Sequence, residues 1–208
     1  MLWLPHPPTT SATATAANAA HARRTAGEAP RVGIPILRKT GGIILPVCPM
    51  VTPPTPEHFR SAMAALPTGV TIVTATGEEG PAGATANAVC SLSLDPPLML
   101  ACLDRGSRTL DVVREHGRFG ISVLAVHQEP IARAFASKAP HTEKFREVAV
   151  AEHATVPILA GSAAWVACEL RDLHDGGDHL IAVGDVLDLG VGEAEPLVFF
   201  GGGYRALG

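Results

Sequence analysis

The chain is short of cysteine: it has four, at positions 48, 90, 102 and 168, with no C-x-x-C pair and no zinc-ligand spacing. That usage excludes a disulfide framework and a thiolate zinc site, and it reads as reduced, mostly buried thiols in a cytoplasmic protein. Charge is also sparse, at 17% of 208 residues against 47% hydrophobic. A chain of that balance can bury a sizeable core and is not disordered as a whole. No apolar run approaches the roughly 20 residues of a membrane span. Met1-Leu2-Trp3-Leu4 is followed at once by Pro-rich polar sequence, so no signal-peptide core follows.

Basic residues are few where a nucleic-acid binder would need them. Residues 1–50 carry Arg23, Arg24, Arg31, Arg38 and Lys39 against Glu28 alone, whereas residues 51–208 hold 11 basic and 19 acidic residues. An acidic domain is a poor partner for a phosphate backbone. Three enzyme signatures are missing too. The spacing of Gly77, Gly80 and Gly83 is not the G-x-G-x-x-G of a dinucleotide fold, and no G-x-S-x-G surrounds Ser91, Ser107 or Ser162. His174, Asp175, Asp178 and His179 could be drawn as a metal site, but Asp-Gly-Gly-Asp is ordinary hairpin chemistry.

What is present falls into two parts. Residues 1–55 are expected to be a disordered tail, Ala/Thr-rich and without apolar periodicity. Its Arg-rich start invites comparison with a transit peptide, yet the apolar face is missing, and Met50 opens a cleaner start. Residues 56–208 form the working domain. Thr55-Pro56-Glu57 supplies a helix start, and Phe59, Met63 and Leu66 recur at helical spacing. Strands are expected over 70–76, 83–89, 97–103, 118–125, the two segments flanking the His174–Asp178 turn, and 196–200. Helices are expected over 107–117 and 127–138, with a polar loop running to Lys144. Six or seven strands with three short helices and no βαβ alternation predict a mainly β fold, a small Greek-key barrel with flanking helices.

Two places invite a ligand. The Ser107 helix start, with Thr109 and Arg105 or Arg108, reads either as a phosphate cradle or as a plain N-cap. "GATANAVCSLSLDPPLMLACLD" (Gly83–Asp104) puts small side chains and a double proline in one segment. It reads either as a close-approach surface or as an ordinary strand and bend.

With these stretches in view, the sequence resembles the flavin reductase-like family, the FMN-binding split barrels. It is most similar to reductase components of two-component flavin-dependent monooxygenases. The resemblance runs in order through "ALPTGVTIVTA", the Gly83–Asp104 block, "SRTLDVV", "EKF", "PILAGSAAWVACEL", "GDHLIAVGDV" and "PLVFFGGGYRAL", covering residues 57–207. It implies a six-stranded Greek-key split barrel with short flanking helices. It implies FMN or FAD as cofactor, NADH or NADPH as hydride donor, a homodimer, and a partner monooxygenase that receives reduced flavin.

The site residues it implies are Thr85, Ala86, Asn87, Ala88, Cys90, Ser91 and Leu92 beside the flavin ring. Ser107, Arg108 and Lys144 fall at the phosphate and ribityl region, Tyr204 at the C-terminal turn, and His179 at the nicotinamide. Ala88 stands where the family usually has serine, and Gly201 where a basic residue is common. Two other readings stay open: an oxidoreductase that keeps its flavin and acts on an organic substrate, and a non-catalytic flavin-binding protein.

Overall fold

The computed structural model describes residues 53–208; the expectations for the tail and for Met50 lie outside the described residues, except at its last three positions. The order begins with helix α1 (Pro56–Met63) and strands β1 (Thr68–Gly69), β2 (Thr71–Gly77), β3 (Gly80–Ala86), β4 (Val89–Leu94) and β5 (Pro97–Asp104). Helix α2 (Arg108–His116), β6 (Arg118–Val123), a 3-10 turn (Val126–Gln128), α3 (Glu129–Ala136) and α4 (His141–Lys144) follow. The chain closes through β7 (Val150–His153), β8 (Val156–Leu159), β9 (Ala164–Gly176), β10 (His179–Val191), β11 (Val198–Phe200) and β12 (Gly203–Arg205).

The principal sheet has seven antiparallel strands in the order β3-β2-β6-β9-β10-β5-β4. Seven hydrogen-bonded strands stand where six were expected. The extra one is β4, because the Ser-Leu-Ser-Leu segment is an edge strand and not part of a bend. Its two real corners are Asn87-Ala88 and the Asp95-Pro96 turn, where the peptide bond is cis. The strands at the two ends of this order, β3 and β4, are consecutive in the chain. The Cys102 N–H donates to the Ala88 carbonyl at 2.9 Å just where one passes into the other.

Cover on both faces explains the packing of β2. β2 reads Thr-Ile-Val-Thr-Ala and is buried over all five of those residues, because α2 covers one face and the helices α3 and α4 the other side of the β2–β3 pair. One core gathers Val73, Leu103, Leu110, Val113, Phe119 and Ile121 under α2. A second gathers Val70, Ile72, Leu124, Phe135, Leu197 and Tyr204 under α3. Gly184 has a packing reason: an added Cβ would stand 2.6 Å from the Phe119 ring.

Other differences from the sequence reading are local. The loop expected before Lys144 contains the single-turn α4. The β7–β8 hairpin turns through Ala154 and Thr155, both at positive φ, so neither Gly nor Asn announces it. Arg118 compensates by donating to the Thr155 Oγ1 at 3.2 Å, and Thr76 Oγ1 donates to the Thr155 carbonyl at 3.1 Å.

Candidate functional site

Four chain segments meet at one end of the principal sheet: the start of β4, the end of β5, the first residue of α2 and the start of β10. The register brings them together, since His179 lies opposite Asp104, and Ser107 follows Asp104 by three residues. β4 pairs only with β5 and so presents an uncovered backbone edge among the described residues. Cys90 and Ser91 are exposed there, and Leu92 occupies the register shift between Ser91 and Ser93. A bulge of that kind turns backbone groups out of the ladder.

Asn87 opens this edge. Its Nδ2 donates to Thr68 Oγ1 at 2.8 Å, while its Oδ1 is buried with no partner among the described groups. A buried acceptor without a donor costs about 1–3 kcal/mol, so the position asks for an incoming N–H or O–H. Ala88 is exposed and adds no polar atom beyond its backbone, whereas Ala86 is fully buried in the first core.

The α2 start is open in the same sense. Ser107 is the N-cap in extended backbone, but its hydroxyl makes no cap bond. Arg108 forms an ion pair with Glu79 on the β2–β3 turn. Arg105 is committed elsewhere: Nε donates to the Gly177 carbonyl and Nη2 to Asp175 Oδ1, each at 2.7 Å. Both arginines that the sequence offered for a phosphate are thus held in ion pairs, Arg105 with Asp175 and Arg108 with Glu79.

His179 opens β10, with its Nδ1 2.7 Å from Asp178 Oδ1. That hydrogen bond, reinforced by the charge of the ring, holds the Asp178 carboxyl below its usual range. An ionised carboxylate accepts, so a neutral ring carries its proton on Nδ1 and keeps Nε2 as an acceptor. Asp178 is thus a positioning group that sequence reading treated only as turn chemistry.

Three expected site residues turn their polar atoms inward. Thr85 Oγ1 donates to the Ala132 carbonyl at 2.7 Å, fastening β3 to α3. Lys144 Nζ donates to the Phe135 carbonyl at 3.1 Å, and burial pushes its ammonium below the usual lysine range. Tyr204 packs edge-on to Phe199 at 5.5 Å with the Arg133 guanidinium 4.8 Å above its ring, and burial raises its phenol to about 12. Thr85 and Lys144 thus tie their polar atoms to α3, while the Tyr204 hydroxyl is buried without a partner among the described groups. One residue that the sequence reading passed over belongs beside Asn87: Thr68, whose Oγ1 accepts from the Asn87 amide.

Comparison with known proteins agrees with this architecture. The NADH-dependent flavin reductase of a Rhodococcus species is 40% identical over 156 residues, spanning 74% of this chain and 87% of that protein. The reductase subunit HsaB of a flavin-dependent monooxygenase from Rhodococcus jostii is 37% identical, over 73% of this chain and 78% of its own. The NADH:FAD oxidoreductase of Streptomyces globisporus C-1027 superposes with a TM-score of 0.71 at 34% identity, covering 78% of this chain and 98% of that one. The flavin reductase like domain matches residues 63–208, nearly all of the described fold, and the chain therefore belongs to the flavin reductase-like family.

Proposed function

We propose that this chain is an NADH-dependent flavin reductase that hands reduced flavin to a partner monooxygenase. The observation that carries the reading is the buried, unpartnered Asn87 Oδ1 beside the uncovered edge of β4. It fits a flavin, whose ring edge and ribityl chain both bring hydrogen-bond donors. When bound, the flavin supplies the hydride-accepting ring. The chain contributes placement and charge, the two things hydride transfer needs most. Backbone N–H groups at the Cys90–Leu92 bulge stabilise negative charge at the pyrimidine edge. Ser107 and the free N–H groups of the α2 start hold phosphate. His179, fixed by Asp178, accepts at Nε2 from the nicotinamide carboxamide and keeps that ring over the site.

The fold supports further particulars. Counting β3 and β4 as one strand kinked at Asn87-Ala88 makes six strands around the sheet, the split barrel of the family, formed by residues 56–208. Helix α1 buries no residue; Phe59 and Met63 on it and Leu66 just beyond it are exposed, with Phe200 also exposed on β11. A second copy covering these residues makes the protein a homodimer. Free Cys90, Cys102 and Cys168 suit the reducing cytoplasm.

A dialysed sample tests the reading. A colourless protein that consumes NADH only after FMN or FAD is added is a reductase of diffusible flavin. A yellow protein inert to NADH would instead be a flavin-binding protein.

A further inference from the structure

Two of the described cysteines share one face of the principal sheet. Cys90 on β4 lies opposite Leu100 of β5, and Cys102 follows Leu100 by two residues, so the two are diagonal neighbours on the same side. The alternate residues Val89, Met99, Ala101 and Leu103 turn to the first core, which puts Cys90 and Cys102 on the opposite face. Cys90 is exposed and Cys102 half-buried. Burial pushes the Cys102 thiol above its usual range, and among the described groups a Cys90 thiolate adds to the rise. The two sulfurs are therefore within electrostatic reach. Cys168 is the contrast: it lies in the first core, and burial pushes its thiol up to about 12, which keeps it inert.

Diagonal strand neighbours have Cα atoms about 7–8 Å apart, whereas a disulfide needs about 4.4–6.8 Å. Bridging them takes a backbone shift of about 1 Å or more. β4 can make that shift. It pairs on one side only, and its register slips between Ser91 and Ser93, just beyond Cys90. β5 is held between β4 and β10, with Cys102 opposite Ile181. The start of β4 is pinned as well, by Asn87 on Thr68 and by the Cys102 N–H on the Ala88 carbonyl. Movement thus falls on Cys90 and the bulge.

We infer that Cys90 and Cys102 form a reversible disulfide that draws the bulge toward β5 and releases flavin, a redox switch on the reductase. The oxidant is hydrogen peroxide, which reduced flavin yields with dioxygen when no oxygenase consumes it. The Cys90 thiolate attacks one peroxide oxygen; the O–O bond breaks, hydroxide leaves and a sulfenic acid forms. The Cys102 thiol then attacks the Cys90 sulfur, the S–O bond breaks, and the oxygen leaves as water. Two thiols lose two electrons, one peroxide gains them, and two waters result. A thiol reductant restores both cysteines. The switch rests on the flavin-reductase reading, because the N–H groups that move, at Cys90–Leu92, are those that hold the flavin. The bond itself does not.

The test oxidises the dialysed full chain with hydrogen peroxide, blocks remaining thiols with N-ethylmaleimide and weighs the tryptic peptides. Trypsin leaves the peptide Ser61–Arg105 whole, with Cys90 and Cys102 both inside it and Cys48 outside. That peptide is expected to be unlabelled and lighter by two hydrogens, and to take two labels after dithiothreitol. Flavin titration of the same samples should show binding weakened roughly tenfold, the value of one or two hydrogen bonds, and restored by dithiothreitol. C102S keeps every flavin contact, so its basal flavin reduction should match wild type, and peroxide should cause no dithiothreitol-reversible loss in it. Labelled thiols at both positions after peroxide, a reversible loss that survives in C102S, or a bond that leaves flavin affinity unchanged would overturn the switch while leaving the reductase reading intact. A reduced chain that binds no flavin overturns the reductase reading, and the switch falls with it.

Discussion

Asn87 gives its amide nitrogen to Thr68 Oγ1 at 2.8 Å and keeps its own oxygen buried without a partner. The bond to β1 fixes the side chain before any ligand arrives, and the spare acceptor is what a ligand donor completes. Asn87→Ala is therefore expected to weaken flavin binding roughly fivefold, the value of about one hydrogen bond. Its melting temperature should move less than that loss suggests, because an unsatisfied acceptor leaves with the side chain. Fluorescence titration beside thermal melting separates the two effects.

His179 should act on the other substrate. Asp178 holds its Nδ1, and under the proposed function the ring meets the nicotinamide and not the flavin. His179→Ala is expected to raise the KM for NADH roughly five- to tenfold with flavin affinity little changed. Unchanged nicotinamide dependence in steady-state kinetics would reduce His179 to a turn residue.

Thr85 and Lys144 should behave as scaffold. Thr85→Val leaves the Ala132 carbonyl without its donor, at a cost of about 1 kcal/mol and a melting temperature lower by about 2–4 °C. Lys144→Met removes the donor to Phe135 and should lower the melting temperature too. Flavin dissociation constants within twofold of wild type are expected for both. A tenfold loss in either would place that side chain on the ligand.

Stability should depend on His141 at mildly acid pH. Its folded pKa lies below the unfolded value of about 6.5, so between the two values the unfolded chain binds more protons. Its contribution is full above about pH 6.5 and is lost as pH falls through the lowered folded value. Protonation also sets an N–H against the Gly83 N–H. His141→Asn keeps an acceptor and cannot titrate, so its melting temperature should fall less than wild type between pH 7.5 and pH 5. Parallel curves would remove His141 from this account.

Much of this was legible in residue order. β2 and β5 stood out because β-branched or apolar residues ran between turn signals, and Ser107 and Gly117 bracketed α2 as written. β4 was missed because the double proline drew the Ser-Leu-Ser-Leu segment into a bend, although its alternation suits an edge strand. The β7–β8 hairpin was missed because its turn uses Ala154 and Thr155, residues that rarely accept positive φ. At the proposed site, Ser107 stood out as a helix start, whereas Asn87 and His179 came only with the family resemblance. Side-chain direction was beyond residue type: the hydroxyl of Thr85 and the ammonium of Lys144 point to α3 carbonyls, a fact of packing and not of motif.

Anaerobic stopped-flow mixing of NADH with the chain and flavin tests the central claim most directly. The account predicts that flavin absorbance bleaches with one NADH consumed per flavin, saturating in NADH. A primary isotope effect is expected when the transferred hydrogen is deuterium. Flavin that stays oxidised in the presence of excess NADH, with FMN and FAD alike, would contradict it.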